Sequence, residues 1–93
     1  CHGERLTGVQ PAIPGLLGLS HDYLLAQLGA WRLGQRRAHA PDCMAQIVDK
    51  LKDDELYAAA AWLATQTLPA DTTPAAPPPT ALPIACGSAG AGR

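Results

Sequence analysis

Phenylalanine is missing from this 93-residue chain, and aromatic residues together make up 4% of it. A core built from its own side chains is therefore thin, because rings are the largest apolar bodies a small domain can bury. An excess of charge is missing too. Seven Lys and Arg stand against eight Asp and Glu, a formal net charge of -1. That balance argues against nucleic acid as a partner, since a phosphate-binding surface carries a basic excess. No apolar stretch is long enough to span a bilayer. Cysteine is scarce: Cys1, Cys43 and Cys86 are an odd number at wide spacing, a poor disulfide framework and no zinc pattern. No run alternates apolar with polar residues, so no strand is expected and the fold class is all-α.

What is present divides into a helical part and a tail. Ser20 is a good N-cap for "HDYLLAQLGAWRLG", with Asp22 in the first turn and Gly34 as the stop. Leu24, Leu28 and Trp31 recur at i, i+4, i+7 and give that helix one apolar stripe. A second helix, "DDELYAAAAWLATQTLP", has acidic residues at its start and Pro69 at its end. Its stripe is Leu56, Ala60 and Leu63, and its alanine run gives high helix propensity. Between the two, "PDCMAQIVDKL" reads as a shorter helix with Met44, Ile47 and Leu51 on one side. Gly3 to Leu19 carries four Gly and two Pro and reads as a loop. From Pro69 onward the composition turns to Pro, Ala, Gly and Thr without periodicity. Residues 1–68 are thus expected to form one domain, and 69–93 a flexible linker or disordered tail, stiff around Pro77–Pro79 and floppy after Cys86.

The chemistry starts at Cys1-His2. These are the last two letters of C-x-x-C-H, in which two thiols bond to the vinyl groups of a haem and the histidine ligates the iron. The dipeptide alone is common. Twelve residues after His2, however, comes Pro14-Gly15-Leu16-Leu17-Gly18. This P-x-L-x-G stretch resembles the class I cytochromes c, in which a proline carbonyl accepts a hydrogen bond from the ligand histidine. Such a bond fixes the ring tautomer, frees Nε2 for iron and makes the imidazole a better donor. Tyr23-Leu24, Gln27-Leu28, Trp31, Gly34 and Arg36 are similar to the Y-L-x-x-Q-L-x-x-F-x-x-G-x-R pattern of the cytochrome c4-like group, with Trp in the aromatic place. Met44-Ala45, Ile47 and Leu51 before Asp53-Asp54-Glu55-Leu56 are similar to that group's M-A-x-I…L-S-D-E-E-I run. Ala61-Trp62-Leu63-Ala64 resembles its last helix. The match covers about residues 1–66.

The resemblance implies a helical domain carrying single electrons on one covalent haem c, not a catalyst. Cys1 would hold the haem through a thioether, His2 and Met44 would be its axial ligands, and Pro14 would orient His2. Arg36 would reach a haem propionate, where a guanidinium gains charge-assisted hydrogen bonds. Leu16, Trp31 and Ile47, with Leu24, Leu28, Leu56 and Leu63, would line or back the ring. The haem would supply the apolar body that phenylalanine does not. An exported, periplasmic setting and redox donor and acceptor proteins as partners are implied as well.

The sequence departs from the family pattern at three places. The first cysteine of the motif and the family's N-terminal helix before it are absent from this sequence, which reads as a fragment cut inside the motif. Without that helix the Leu56/Ala60/Leu63 stripe is expected to lack its partner. Lys52 stands where Ser or Thr usually caps the last helix, so its start is expected to be weaker or shifted onto Asp53. Cys43 precedes Met44, where an apolar residue is more usual; it is expected as a small buried hydrophobe, and Cys86 as a free or intermolecular thiol. Met44 is also readable as a core filler. His39 and His21 rival it for the sixth position, since imidazole suits iron, His21 otherwise being a surface residue. Two other functions stay open: a haem-free helical interaction module, and the electron-relay module of a larger redox enzyme.

Overall fold

Ser20 opens the first helix as its composition suggests. Its hydroxyl accepts the Tyr23 N–H at 3.1 Å, satisfying one of the donors that a helix start leaves free. Helix α1 then runs His21–Arg32. At its end Gly34 takes a φ of 73°, and two bonds close the turn, Gln35 N–H to the Ala30 carbonyl at 2.8 Å and Gly34 N–H to that of Trp31 at 3.1 Å. This is a Schellman cap, which needs a left-handed residue and so favours glycine. The computed structural model describes residues 1–79 and 81–90. The parts of the expected tail at 80 and 91–93 lie outside the described residues.

Asp42 starts helix α2, Cys43–Lys50, by accepting the Ala45 N–H at 3.1 Å. Helix α3 spans Asp53–Thr65 with Lys52 at its N-cap position. The start does not shift in spite of the missing Ser or Thr. Glu55 reaches back to accept the Lys52 N–H at 2.8 Å, and Asp54 accepts the Glu55 N–H at 3.0 Å. The three acidic residues of that first turn also suit the positive end of the helix dipole. A short 3-10 turn follows at Gly87–Gly90. Among the described residues there is no strand; Val9 makes two isolated bridges, antiparallel to Ile13 and parallel to Ala75. The fold class is all-α, that of a cytochrome c-like helical domain.

Helix α1 packs on both α2 and α3. The buried apolar residues are Val9, Ile13, Leu24, Cys43, Val48, Leu56 and Ala60, with no ring among them. The α3 stripe is therefore not left without a partner. Leu56 and Ala60 are buried, because α1 covers that side and the alanine lets the two helices come close. On α2 the inner residues are Cys43 and Val48, the latter fully enclosed, while Ile47 is 36% exposed. Arg32 ties the three helices together. Its guanidinium donates to the carbonyls of Val48, at 3.0 Å, and Leu51, and it pairs with Asp53 at the start of α3.

The expectations for Cys43 and Cys86 need correction in their pairing. Cys43 and Cys86 are joined in a disulfide, with their Cα atoms 4.9 Å apart. Cys43 is buried but not a lone hydrophobe, and Cys86 is not a free thiol. The partners lie 43 residues apart in sequence, and only folding brings them within the reach of a bridge. The segment after Pro69 is also tied to the loop before α1. Ala75 donates its N–H to Gly8 and accepts that of Gln10, both at 2.9 Å, and the Thr7 hydroxyl donates to the Thr73 carbonyl at 3.1 Å.

Candidate functional site

The loop ahead of α1 has no regular element to hold it, so its shape rests on special backbone positions. Gly3 and Gly8 have φ of 91° and 94°, and Leu6 has a φ of 58°. Gly8 is also hemmed in: a Cβ there would meet the Ile13 oxygen at 2.6 Å and the Gly15 nitrogen at 2.8 Å. Its N–H donates to the His2 carbonyl at 2.9 Å, and the Leu16 N–H to that of Leu6 at 2.9 Å. These bonds fold residues 2–16 into a ring of chain with His2 at one side and Pro14 at the other.

The two meet across that ring. His2 Nδ1 lies 2.7 Å from the Pro14 carbonyl oxygen. A carbonyl only accepts, so Nδ1 carries the hydrogen and donates it. In the neutral ring Nε2 is then the nitrogen with a free lone pair. Burial lowers the His2 pKa below the ordinary imidazole value and outweighs the Pro14 bond, which raises it. The ring is thus kept neutral near pH 7, the form that can bind a metal. The thiol of Cys1 is free and exposed beside it. A cavity of about 490 Å³ adjoins Cys1, between Glu4, Val9 and the tail residues Ala75, Pro78 and Leu82.

A second group of expected site residues gathers around Asp42. One carboxylate oxygen of Asp42 caps α2, the helix of Met44; the other accepts from Ala38 N–H at 2.9 Å and Trp31 Nε1 at 3.3 Å. Burial pushes this carboxyl up, but the bonds from Ala38, Ala45, Trp31 and Met44 outweigh it and hold its pKa below the usual value. The Arg36 guanidinium sits 4.3 Å from the centre of the Trp31 ring and donates to the Gln27 side chain. Trp31, Arg36 and the start of the Met44 helix are thereby one hydrogen-bonded and stacked cluster. Leu16 and Met44 are half-buried. No hydrogen bond joins this cluster to the His2 loop among the described residues.

The rivals for the second ligand fall in different places. His39 is exposed on the loop before α2. His21 is not a plain surface residue: it is half-buried, its ring set edge-on to Tyr57 at 4.6 Å, with Nε2 enclosed and without a hydrogen-bond partner. Its place at the start of α1, facing α3, accounts for the burial. Asp42 is a site residue that sequence reasoning passed over, although an Asp after a proline and before an apolar run is a helix-start signal.

The residues fit a haem. Among the described residues no three His, Cys, Asp or Glu side chains come together to hold a bare ion. A macrocycle brings its own four nitrogens and needs from the chain an axial imidazole, a thiol beside it and apolar cover. A neutral His2 with its Nδ1 already bonded, next to the Cys1 thiol, meets the first two needs. For the third, the chain leaves large apolar side chains at its surface, Ile47 and Leu68 among them.

Known proteins agree with that class. The chain is 33% identical over 66 residues to cytochrome c-554(548) of Halomonas halodenitrificans, covering 71% of this chain and 80% of that one. It is 44% identical over 64 residues to the thiosulfate dehydrogenase electron acceptor of Stutzerimonas stutzeri, and 37% identical over 68 residues to that of Thiomonas intermedia. Those two matches take in 69% and 73% of this chain but 30% and 31% of the relatives, so the chain spans about a third of their length. No family model matches the sequence, and no solved structure does. The chain belongs to the c-type cytochromes, proteins of electron transport built on haem.

Proposed function

We propose that residues 1–68 form an electron-carrying domain with one covalently held haem c, ligated by His2 and Met44, and that 69–93 are its tail. The single observation that carries this reading is the 2.7 Å bond from His2 Nδ1 to the Pro14 carbonyl. It leaves Nε2 as the metal-binding nitrogen and fixes the plane of the ring. The haem supplies a one-electron couple. Cys1 anchors it through a thioether, and the thioether of Met44, the sole methionine of the chain, is a soft ligand that favours the reduced ion. Leu16, Trp31 and Ile47 would contribute apolar cover, and Arg36, which donates to Gln27 here, would be the residue to bond a propionate. With His2 and Met44 both holding the haem iron, the domain would carry electrons rather than transform a substrate. Covalent attachment implies an exported, periplasmic setting.

The names of two relatives favour a further step. They are thiosulfate dehydrogenase electron acceptors about three times the length of their match to this chain. We infer that the redox donor is an oxidoreductase of that kind and that the domain works as the relay module of a larger assembly.

The test is the protein produced together with a haem-ligation system. Haem is expected to remain on the chain through denaturation and acid extraction into organic solvent. Haem that passes into the organic phase would remove the thioether, and a chain that takes up none would leave a haem-free interaction module. Met44→Ala is expected to abolish the sulfur-to-iron absorption band and to open the iron to added imidazole; His39→Ala is expected to leave both as they are.

A further inference from the structure

The C-terminal segment touches the loop ahead of α1 through Thr73 and Ala75, and farther on it returns to a second place, the loop leading into Met44. Three separate features meet there. Cys86 is bonded to Cys43, the residue before Met44. The Gly87 N–H donates to the Pro41 carbonyl at 2.9 Å. Gly87 is also pressed against the loop so closely that a Cβ would lie 2.4 Å from the carbonyl oxygens of both His39 and Ala40. Only a residue without a side chain fits that approach. The segment around Cys86 thus grips residues 39–43 from outside, while Asp42 holds the same residues from inside through Ala38, Ala45 and Trp31.

We propose that Cys86 and Gly87 are positioning residues for Met44, acting as a clasp that fixes the ligand loop against the domain. The inference rests on the reading of Met44 as the second axial ligand and adds to it the reason that the ligand stays in place. A thioether is a weak neutral donor on a flexible side chain, so its hold on iron depends on how little the backbone under it can move. A covalent bond one residue away, with a close-packed hydrogen-bonded glycine beside it, restricts that movement more than the eight-residue helix α2 can alone. The tail beyond Pro69 then belongs functionally to the site, although it carries no ligand.

The experiment uses the full-length haem-loaded protein. Peptide mapping without reductant comes first, and two free thiols at Cys43 and Cys86 in the oxidised protein would overturn the proposal. The double variant Cys43→Ala/Cys86→Ala removes the bridge without leaving a reactive thiol. Gly87→Ala keeps the bridge and pushes the loop away, so it gives a reading even where the double variant loads poorly. Both are expected to weaken the sulfur-to-iron band and to bind added imidazole about 10-fold more tightly, the lower end of what loss of a ligand-orienting partner causes. They are measured far below the thermal midpoint, so a merely structural clasp would lower that midpoint and leave band and imidazole affinity unchanged. That outcome sinks the proposal. Met44→Ala separates the two levels: if it removes the band while the clasp variants do not, the ligand reading stands and the clasp fails. If Met44→Ala leaves the band intact, the ligand reading itself fails and the clasp with it.

Discussion

In residues 20–66 backbone N–H groups find their acceptors within a few positions along the chain; in residues 1–19 two local turns, Leu6 to Gly3 and Val9 with Ile13, have to be joined by longer reaches. Ser20, Gly34, Asp42 and Glu55 each settle a helix end with groups close in sequence. The loop ahead of α1 instead relies on His2 to Pro14, on Leu16 to Leu6, and on Gly8 and Gln10 to Ala75. Order in the helices is local, and order in the loop is collective. The proposed ligands fall on opposite sides of this divide, His2 in the collective part and Met44 on a capped helix. A haem bound between them therefore gives the loop more than it gives the helices.

Withholding haem is the largest test of that contrast. The haem-free chain is expected to show no cooperative thermal transition, since a domain of about 70 residues without its cofactor is near the limit of independent stability. Hydrogen exchange is expected to be fast throughout residues 1–19, with partial protection confined to α1 and α3. A sharp, reversible transition would break the comparison, because it would mean that the loop orders itself.

Two glycine substitutions sharpen it with opposite signs. Gly8→Ala puts a side chain at a φ of 94° and into the Ile13 and Gly15 backbone. It is expected to destabilise the haem-loaded protein by about 3 kcal/mol, from backbone strain and overpacking together. Because Pro14 sits in the displaced turn, the imidazole-to-iron spectroscopic signature should change with it. Gly29→Ala, on α1, has nothing within 4 Å of the new Cβ. There the higher helix propensity of alanine is expected to stabilise by about 0.5–1 kcal/mol, with the spectrum unchanged. Denaturant titration followed by circular dichroism gives both numbers, and equal signs would undo the distinction. Smallest of all is Arg5→Ala. Its 3.9 Å pair with Asp71 is solvent-exposed on both sides, and no measurable change in midpoint is expected.

The helices were legible because their signals are local. Ser20, the Leu24 stripe and Gly34 mark α1 to within two residues, and the acidic turn at Asp53 marks α3. The proline that was expected to end α3 does not; the helix stops at Thr65, with Gln66 already extended. The His2–Pro14 spacing was readable only through family resemblance, since nothing in a dipeptide and a distant proline indicates that a loop will close between them. The Cys43–Cys86 bridge and the Gly87 contact were not legible at all. Both depend on a segment of low complexity returning across 43 residues, and composition carries no trace of where such a segment lands. The inner side of α2 was misjudged for a related reason. An eight-residue helix offers too few positions to fix its rotation, and here Asp42 sets it by bonding to Trp31 and Ala38.

The parallel bridge between Val9 and Ala75 has a consequence for the order of assembly. Closing a loop of that span is entropically slower than forming a helix turn, and contacts between distant residues come late in folding. A chain made from its N-terminus exposes Gly8 and Gln10 long before Ala75 exists to pair with them. The three helices can meet through Arg32 while residues 1–19 are still searching. Residues 1–19 are therefore the last part of this domain to settle, after the helices that their partners follow in the chain.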